Sequence, residues 1–280
     1  MRRRRPAALA IGFGKLGAVL VLLCWSLAPI LLIVSSSLKP GRDIFAVPPR
    51  VLFTPTLAHY GALWSQWSVF FKGLLNSLVI TAGATLLTVA ASVVAGFAYS
   101  RRRTRGLAHT AAVLVGLRLI PPIVITLPLF PIVNRLGLAD THLVLILLYA
   151  TFFVSMGSLL MRGFIDQIPR ELDDAAVVDG AGLITLLRRI IVPLAVPWML
   201  AVAVFVIVYA WNEFLFAFIF TSTRAKTAPL VLSEMISPAE GVEWGELFAA
   251  STVQLLPVLV FVLLMQRHFV AGLTAGAVKG

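Results

Sequence analysis

Ile168-Pro-Arg-Glu-Leu-Asp-Asp-Ala-Ala-Val-Val-Asp-Gly-Ala-Gly182 carries the densest cluster of charge in a chain of 280 residues that is 60% hydrophobic and only 12% charged. Its neighbours on both sides are long apolar runs, Thr141 to Met161 before it and Ile190 to Thr223 after it. Four more runs of this kind occur: Leu16 to Leu38, Gly73 to Ser100, Gly106 to Val133 and Leu247 to Gln266. Each is long enough to cross ~30 Å of hydrocarbon at ~1.5 Å per residue. In lipid every backbone polar group must be satisfied within the segment, and these runs lack the alternation of barrel strands, so helices follow. Together with a mean hydropathy of +0.98, the pattern predicts an all-α membrane protein with six transmembrane helices rather than a soluble globular domain.

Charge sets the expected orientation. Arg2 to Arg5, Arg101, Arg102, Arg103, Arg105, Arg162, Arg170, Arg188 and Arg189 all fall on one side of the six runs, and positive loops stay in the cytoplasm. Both termini are therefore expected to be cytoplasmic, with Lys39, Arg42, Arg50, Lys72, Arg135, Arg224 and Lys226 as an outward minority. The organisation that follows is a cytoplasmic basic segment 1–15, a transmembrane domain 16–266 that includes the charged loop 163–193, and a cytoplasmic tail 267–280. The net charge of +11 sits in short clusters beside apolar runs, a pattern suited to anionic lipid and not to nucleic acid. Leu16 to Leu38 is too long for a signal-peptide core and lacks an A-x-A-like exit, so it reads as a retained first span. Cys24, the single cysteine, excludes an intramolecular disulfide or a thiolate metal cluster.

Catalytic patterns are missing from the sequence. Gly12-Phe-Gly-Lys15 imitates a phosphate loop but continues into Leu16, and no G-x-x-x-x-G-K-[ST] occurs. His59, His109, His142 and His268 are scattered without H-x-x-x-H or H-E-x-x-H spacing, and no G-x-S-x-G elbow is present. An enzyme has no support here. Pro121, Pro122, Pro128 and Pro131 must bend or interrupt the third run. Ala91 with Ala95 and Ser92 with Gly96 give small residues four apart in the second, where another helix can approach closely.

Within the charged loop, Pro169 suits a helix start, and Glu171, Asp173 and Asp174 lie in a first turn where the helix dipole favours acids. Gly180 supplies the stop. Leu172, Ala175, Ala176 and Asp179 fall at i, i+3, i+4, i+7, a narrow face of small residues able to sit in a partner's groove. An amphipathic connector lying on the membrane fits the same pattern equally well. Pro193 and Pro197 mark where the fifth span begins.

Asp174-Ala175-Ala176, three residues, Gly180, nine residues, then Ile190 and Val192-Pro193 resemble the EAA motif of ATP-binding cassette (ABC) importer permeases. The family pattern has Glu at the position of Asp174 and usually Leu at that of Val192. Further stretches resemble the carbohydrate-importer branch of the maltose-transporter type: Ser37-Leu-Lys-Pro40, Asn76-Ser-Leu78, Ile120-Pro121 with Leu127-Pro-Leu129, Leu136-Gly-Leu138, Trp211-Asn-Glu-Phe214, Trp244-Gly-Glu246 and the tail from Phe269 to Gly280. The resemblance implies the type I ABC importer permease fold in a bacterial inner membrane. It implies that Glu171, Asp174, Ala175, Ala176, Asp179, Gly180 and Pro193 couple the chain to a cytoplasmic ATPase. It also implies a second permease subunit, a dimer of ATPase subunits that hold ATP and magnesium, an external solute-binding protein, and no cofactor on this chain.

Two ionisable residues interrupt apolar segments, Arg118 in the third run and Glu213 in the fifth. Charge at such depth faces a cavity or a partner, because exposure to lipid costs ~2.5 to 3.5 kcal/mol on insertion scales. Trp211, Asn212 and Glu213 together combine an aromatic face with hydroxyl-matching groups, as an outer gate for a sugar requires, and holding neighbouring helices together is an equal alternative. Glycerol phosphate, a polyol or another small solute is the alternative cargo. A polytopic scaffold that conducts nothing is the alternative from outside transport.

Overall fold

The computed structural model describes residues 5–102, 104–236 and 241–275, with side chains described for 15–102, 104–107, 109–236 and 241–266. Among them the regular elements are all helical. The first apolar run lies in α1 (Arg5–Leu38), whose side chains are exposed from Lys15 to Pro29, Trp25 to 82%. Short helices α2 (Gly41–Ile44) and α3 (Ala58–Gln66) follow. The second run lies in α4 (Ser68–Arg101). At ~1.5 Å per residue the 34 residues of α4 make it about 51 Å long, more than the ~30 Å of a hydrocarbon layer.

The proline-rich third run is not one helix. It forms α5 (Arg105–Leu117) and α6 (Pro122–Arg135), bent by 101°. Pro121 has no N–H to continue the ladder, and Pro122 stands at the first position of α6, where a missing donor costs nothing. Next come α7 (His142–Ile165), capped by the Thr141 side chain on the Val144 N–H, and α8 (Glu171–Val178). The short α9 (Leu183–Leu186), a π-helical turn Leu187–Ile191 and α10 (Val192–Trp211) together make an apolar segment, Leu183–Trp211, long enough to span a bilayer.

As a helix, that segment starts at Leu183, ahead of the span entry expected near Pro193, and it stops at Trp211, short of the end of the apolar run. The remainder of the run, to Thr223, turns at Asn212 and re-forms as α11 (Leu215–Phe220). The chain continues through α12 (Ala228–Glu234) and α13 (Trp244–Ala275). Helix α13 continues through residues 267–275, the first part of the expected cytoplasmic tail, and 276–280 lie outside the described residues. Among the described residues five helices are long and apolar enough to span a bilayer, and the bent pair α5 and α6 raises the number to six if it crosses once.

The chain divides into two compact units. In the unit made of Met1–Ser68 and Leu232–Leu255, the Ser37 and Tyr60 hydroxyls share a hydrogen bond of 2.7 Å, and His59 Nε2 meets the Lys39 carbonyl at 2.8 Å. In the unit made of Val69–Val231 and Leu256–Gly280, α4 and α7 approach through small residues. A methyl group on Gly96 would lie 2.6 Å from Met161 Cβ, and one on Gly157 would lie 2.2 Å from Ser92 Oγ. Ser92 and Gly96 are thus the close-contact pair on α4; Ala91 and Ala95 are less buried. Around this contact Tyr149, Phe153, Ile165, Ile191, Val202 and Phe220 form a buried core.

Candidate functional site

Helix α8 begins where the Arg170 carbonyl accepts the N–H groups of Asp173 and Asp174, 2.9 and 3.0 Å away. Glu171, Asp173 and Asp174 occupy its first turn, at the positive end of the helix dipole. Its end is a Schellman motif. The Ala181 N–H reaches back to the Ala176 carbonyl at 2.9 Å and the Gly180 N–H to that of Val177 at 3.0 Å, with Gly180 at φ +78°. The motif's glycine is needed at that left-handed position, where a side chain is strained.

The exposed surface of α8 differs from the expected face. Ala176 is 6% exposed and packs into the chain's own core with Leu186 and Ile191. Leu172, Ala175 and Asp179 are exposed, as are Glu171, Asp174, Val177 and Val178. Asp173 points inward to a cluster that positive-charge counting had reduced to an orientation marker. Arg101, the last residue of α4, directs Nε to Asp173 Oδ2, Nη1 to the Ile165 carbonyl at 3.0 Å and Nη2 to that of Ile168 at 3.0 Å. Its side chain is 9% exposed. Ser100 Oγ donates to Asp166 Oδ1 at 2.7 Å, and Arg170 Nη2 donates to the Ser100 carbonyl at 3.1 Å. Pro193 lies one position into α10, just past the π turn, where the Val192 N–H bonds five residues back to Leu187. The wide turn suits a ring that has no N–H to give.

The candidate pathway residues separate into two places. At the break after α10, Glu213 Oε1 accepts the Phe216 N–H at 2.9 Å and Oε2 that of Ala217 at 3.4 Å, so the carboxylate caps α11. Asn212 and Glu213 line an open cleft of about 620 Å³ with Phe152, Phe153, Tyr209 and Phe216. Arg118, at the end of α5, lies 5.4 Å from the centre of the Phe152 ring and so reaches the same aromatic cluster. Trp211 is elsewhere. It is 3% exposed and lines a smaller cavity of about 160 Å³ with Thr81, Pro257 and Phe261.

A third polar centre was not singled out from the sequence. Asp140, just before α7, has φ +55°, a conformation that short polar side chains tolerate. Its carboxylate accepts the N–H groups of Ser222, Thr223, Arg224 and Ala225 at 2.9 to 3.2 Å and the Thr223 hydroxyl at 2.7 Å. Burial alone would raise its pKa, but these donors hold it well below the usual carboxylate range. Asn76 fixes the same loop from α4, donating to the Arg224 and Lys226 carbonyls at 2.9 and 2.8 Å while its own oxygen meets His142 Nε2 at 2.7 Å.

A helical membrane chain with a short acidic surface helix fixed between spans, and broken helices around a polar-ended aromatic cleft, has the features of a transport permease. Residues 88–275 match the family described as binding-protein-dependent transport system inner membrane component, and the chain belongs to that family. It is 36% identical over 253 residues to a probable ABC transporter permease protein, y4oR, of Sinorhizobium fredii, covering 90% of each chain. It is 34% identical over 238 residues to the trehalose/maltose transport system permease protein MalG of Thermococcus litoralis, covering 84% of this chain and 86% of the relative. The fold is similar to that of a chain in the crystal structure of a bacterial ABC transporter involved in alginate import. That match has a TM-score of 0.75 and 22% identity, and covers 96% of this chain and 98% of the other.

Proposed function

We propose that this chain is the transmembrane permease subunit of an ATP-driven carbohydrate importer, forming half of the translocation pathway and working by alternating access. In this reading the bent pair α5 and α6 counts as one of six spans and both termini are cytoplasmic. A second permease completes the pathway, an external binding protein delivers the solute, and a pair of cytoplasmic ATPase subunits hydrolyses ATP with magnesium. The observation that carries the reading is α8, exposed on most of its surface while its start is fixed to α4 and α7, the arrangement expected of a lever moved by a partner. Support for a carbohydrate comes from the relatives, whose names specify trehalose and maltose, trehalose, and sulfoquinovosyl glycerol.

The solute path in this proposal passes the aromatic cleft, where ring faces and the Asn212 and Glu213 polar groups suit a sugar's apolar faces and hydroxyls. The test is uptake of labelled trehalose and maltose by vesicles containing the whole complex and ATP. Accumulation that needs ATP and the binding protein is expected, and its absence for every sugar tried, with uptake of glycerol phosphate instead, would overturn the carbohydrate assignment. Glu213→Gln keeps one acceptor for the α11 N–H groups but removes the charge. Uptake is expected to fall about tenfold with the complex still assembled, and wild-type uptake would remove Glu213 from the path.

A further inference from the structure

We propose that Arg101 is the positioning residue that makes α8 and the adjoining end of α4 move as one body, so that displacement of α8 by the ATPase reaches the transmembrane bundle through this side chain. The proposal rests on the reading of the chain as an importer permease with α8 as its coupling helix. What leads to it is that one guanidinium joins three elements. Arg101 ends α4; its Nη1 and Nη2 engage the carbonyls of Ile165, the last residue of α7, and of Ile168, in the turn that follows; its Nε engages Asp173 on α8. Arginine suits this place because its planar fork keeps several donors in fixed directions and always carries charge. Lysine offers a single point charge and cannot hold both carbonyls and the acid in that geometry.

The surroundings make the junction stiff. Both partners of the ion pair are largely shielded, the Arg101 side chain at 9% and that of Asp173 at 14% exposure, so water screens the contact weakly. Ser100 and Arg170 add bonds between the same segments, at 2.7 Å to Asp166 and 3.1 Å to the Ser100 carbonyl. One turn back along α4, Gly96 lets α7 approach so closely that no methyl group fits. Beyond the junction, by contrast, α8 is open: Val177 and Val178 are 62% and 85% exposed. A helix held rigidly at its start and free along its outer surface transmits a push instead of yielding to it.

The test uses the complete complex in lipid. Arg101→Ala is expected to retain its ATPase subunits and hydrolyse ATP while solute transported per ATP falls roughly 10- to 100-fold, the span of ordinary coupling free energies. Arg101→Lys is expected to fall between wild type and Arg101→Ala, and Arg101→Ala with Asp173→Ala to be no worse than Arg101→Ala alone. A second readout does not depend on transport. In a Cys24→Ser background, spin labels at Val94→Cys and Val178→Cys, both exposed positions, report the α4-to-α8 distance. That distance is expected to stay the same with and without ATP, and to become nucleotide-dependent in Arg101→Ala. A wild-type distance that changes with ATP, or wild-type coupling in Arg101→Ala, would overturn the proposal. A wild-type complex that never transports would instead overturn the importer reading, and with it any coupling role for Arg101.

Discussion

The Arg101 junction and the Asp140 clasp solve one problem with opposite charge. Each fixes the turn between apolar helices by gathering several backbone groups onto one ionised side chain. The cation collects the carbonyls of Ile165 and Ile168, and the anion collects the amides of Ser222 to Ala225. The groups differ because the helical context differs. A chain leaving a helix has carbonyls to spare, whereas a tight loop can turn successive N–H groups toward one point. The functional difference lies in what each holds. Arg101 holds the start of α8, whose outer surface is open, while Asp140 holds a loop that Asn76 also ties down.

The comparison predicts two kinds of defect. The largest effect is that of Arg101→Ala, loss of coupling with assembly retained, read as solute moved per ATP. Asp140→Ala is expected to give the reverse: loss of about 2 kcal/mol of stability, read as a lower melting temperature of the purified complex, with coupling preserved in whatever remains folded. An Asp140→Ala complex that melts normally but wastes ATP would erase the distinction. The smallest effect concerns pH. Because the folded Asp140 carboxyl titrates well below its unfolded value of ~3.9, the clasp's contribution is fully present above about pH 4 and is lost only as the pH falls toward the folded value. Asp140→Asn should therefore show the same stability deficit at pH 5 and pH 8, and a deficit that grows steadily between them would mean that another group controls the loop.

Much of the architecture was legible because lipid imposes a simple length rule. The apolar runs that became α1, α4, α7 and α13 match helices long enough to span, and the four prolines marked the third run as broken. Gly180 was legible as a stop because its left-handed backbone leaves few alternatives. The break after Trp211 was hidden, since Asn212, Glu213 and Phe214 include neither Gly nor Pro and sit in an otherwise continuous apolar run. The only local signal was an acid three residues before the Phe216 amide it caps. Ala176 shows the limit of periodicity, which found a stripe of small residues on α8 but not which of them turns into the core. Arg101 and Asp140 were readable as charges but not as clamps, because their partners are 64 to 85 residues away and come near only through packing.

The central claim is that α8 receives force from the ATPase, and Gly180→Trp tests it most directly. No atom lies within 4 Å of where a Cβ would sit, so the side chain has room within this subunit. The left-handed backbone adds only ~1 to 2 kcal/mol of strain. A bulky ring there nevertheless stands at the end of the surface offered to a partner. The measurement is ATPase retention on the purified permease together with ATP-driven uptake. The account predicts that the variant inserts in the membrane but loses the ATPase and uptake together; wild-type levels of both would contradict it.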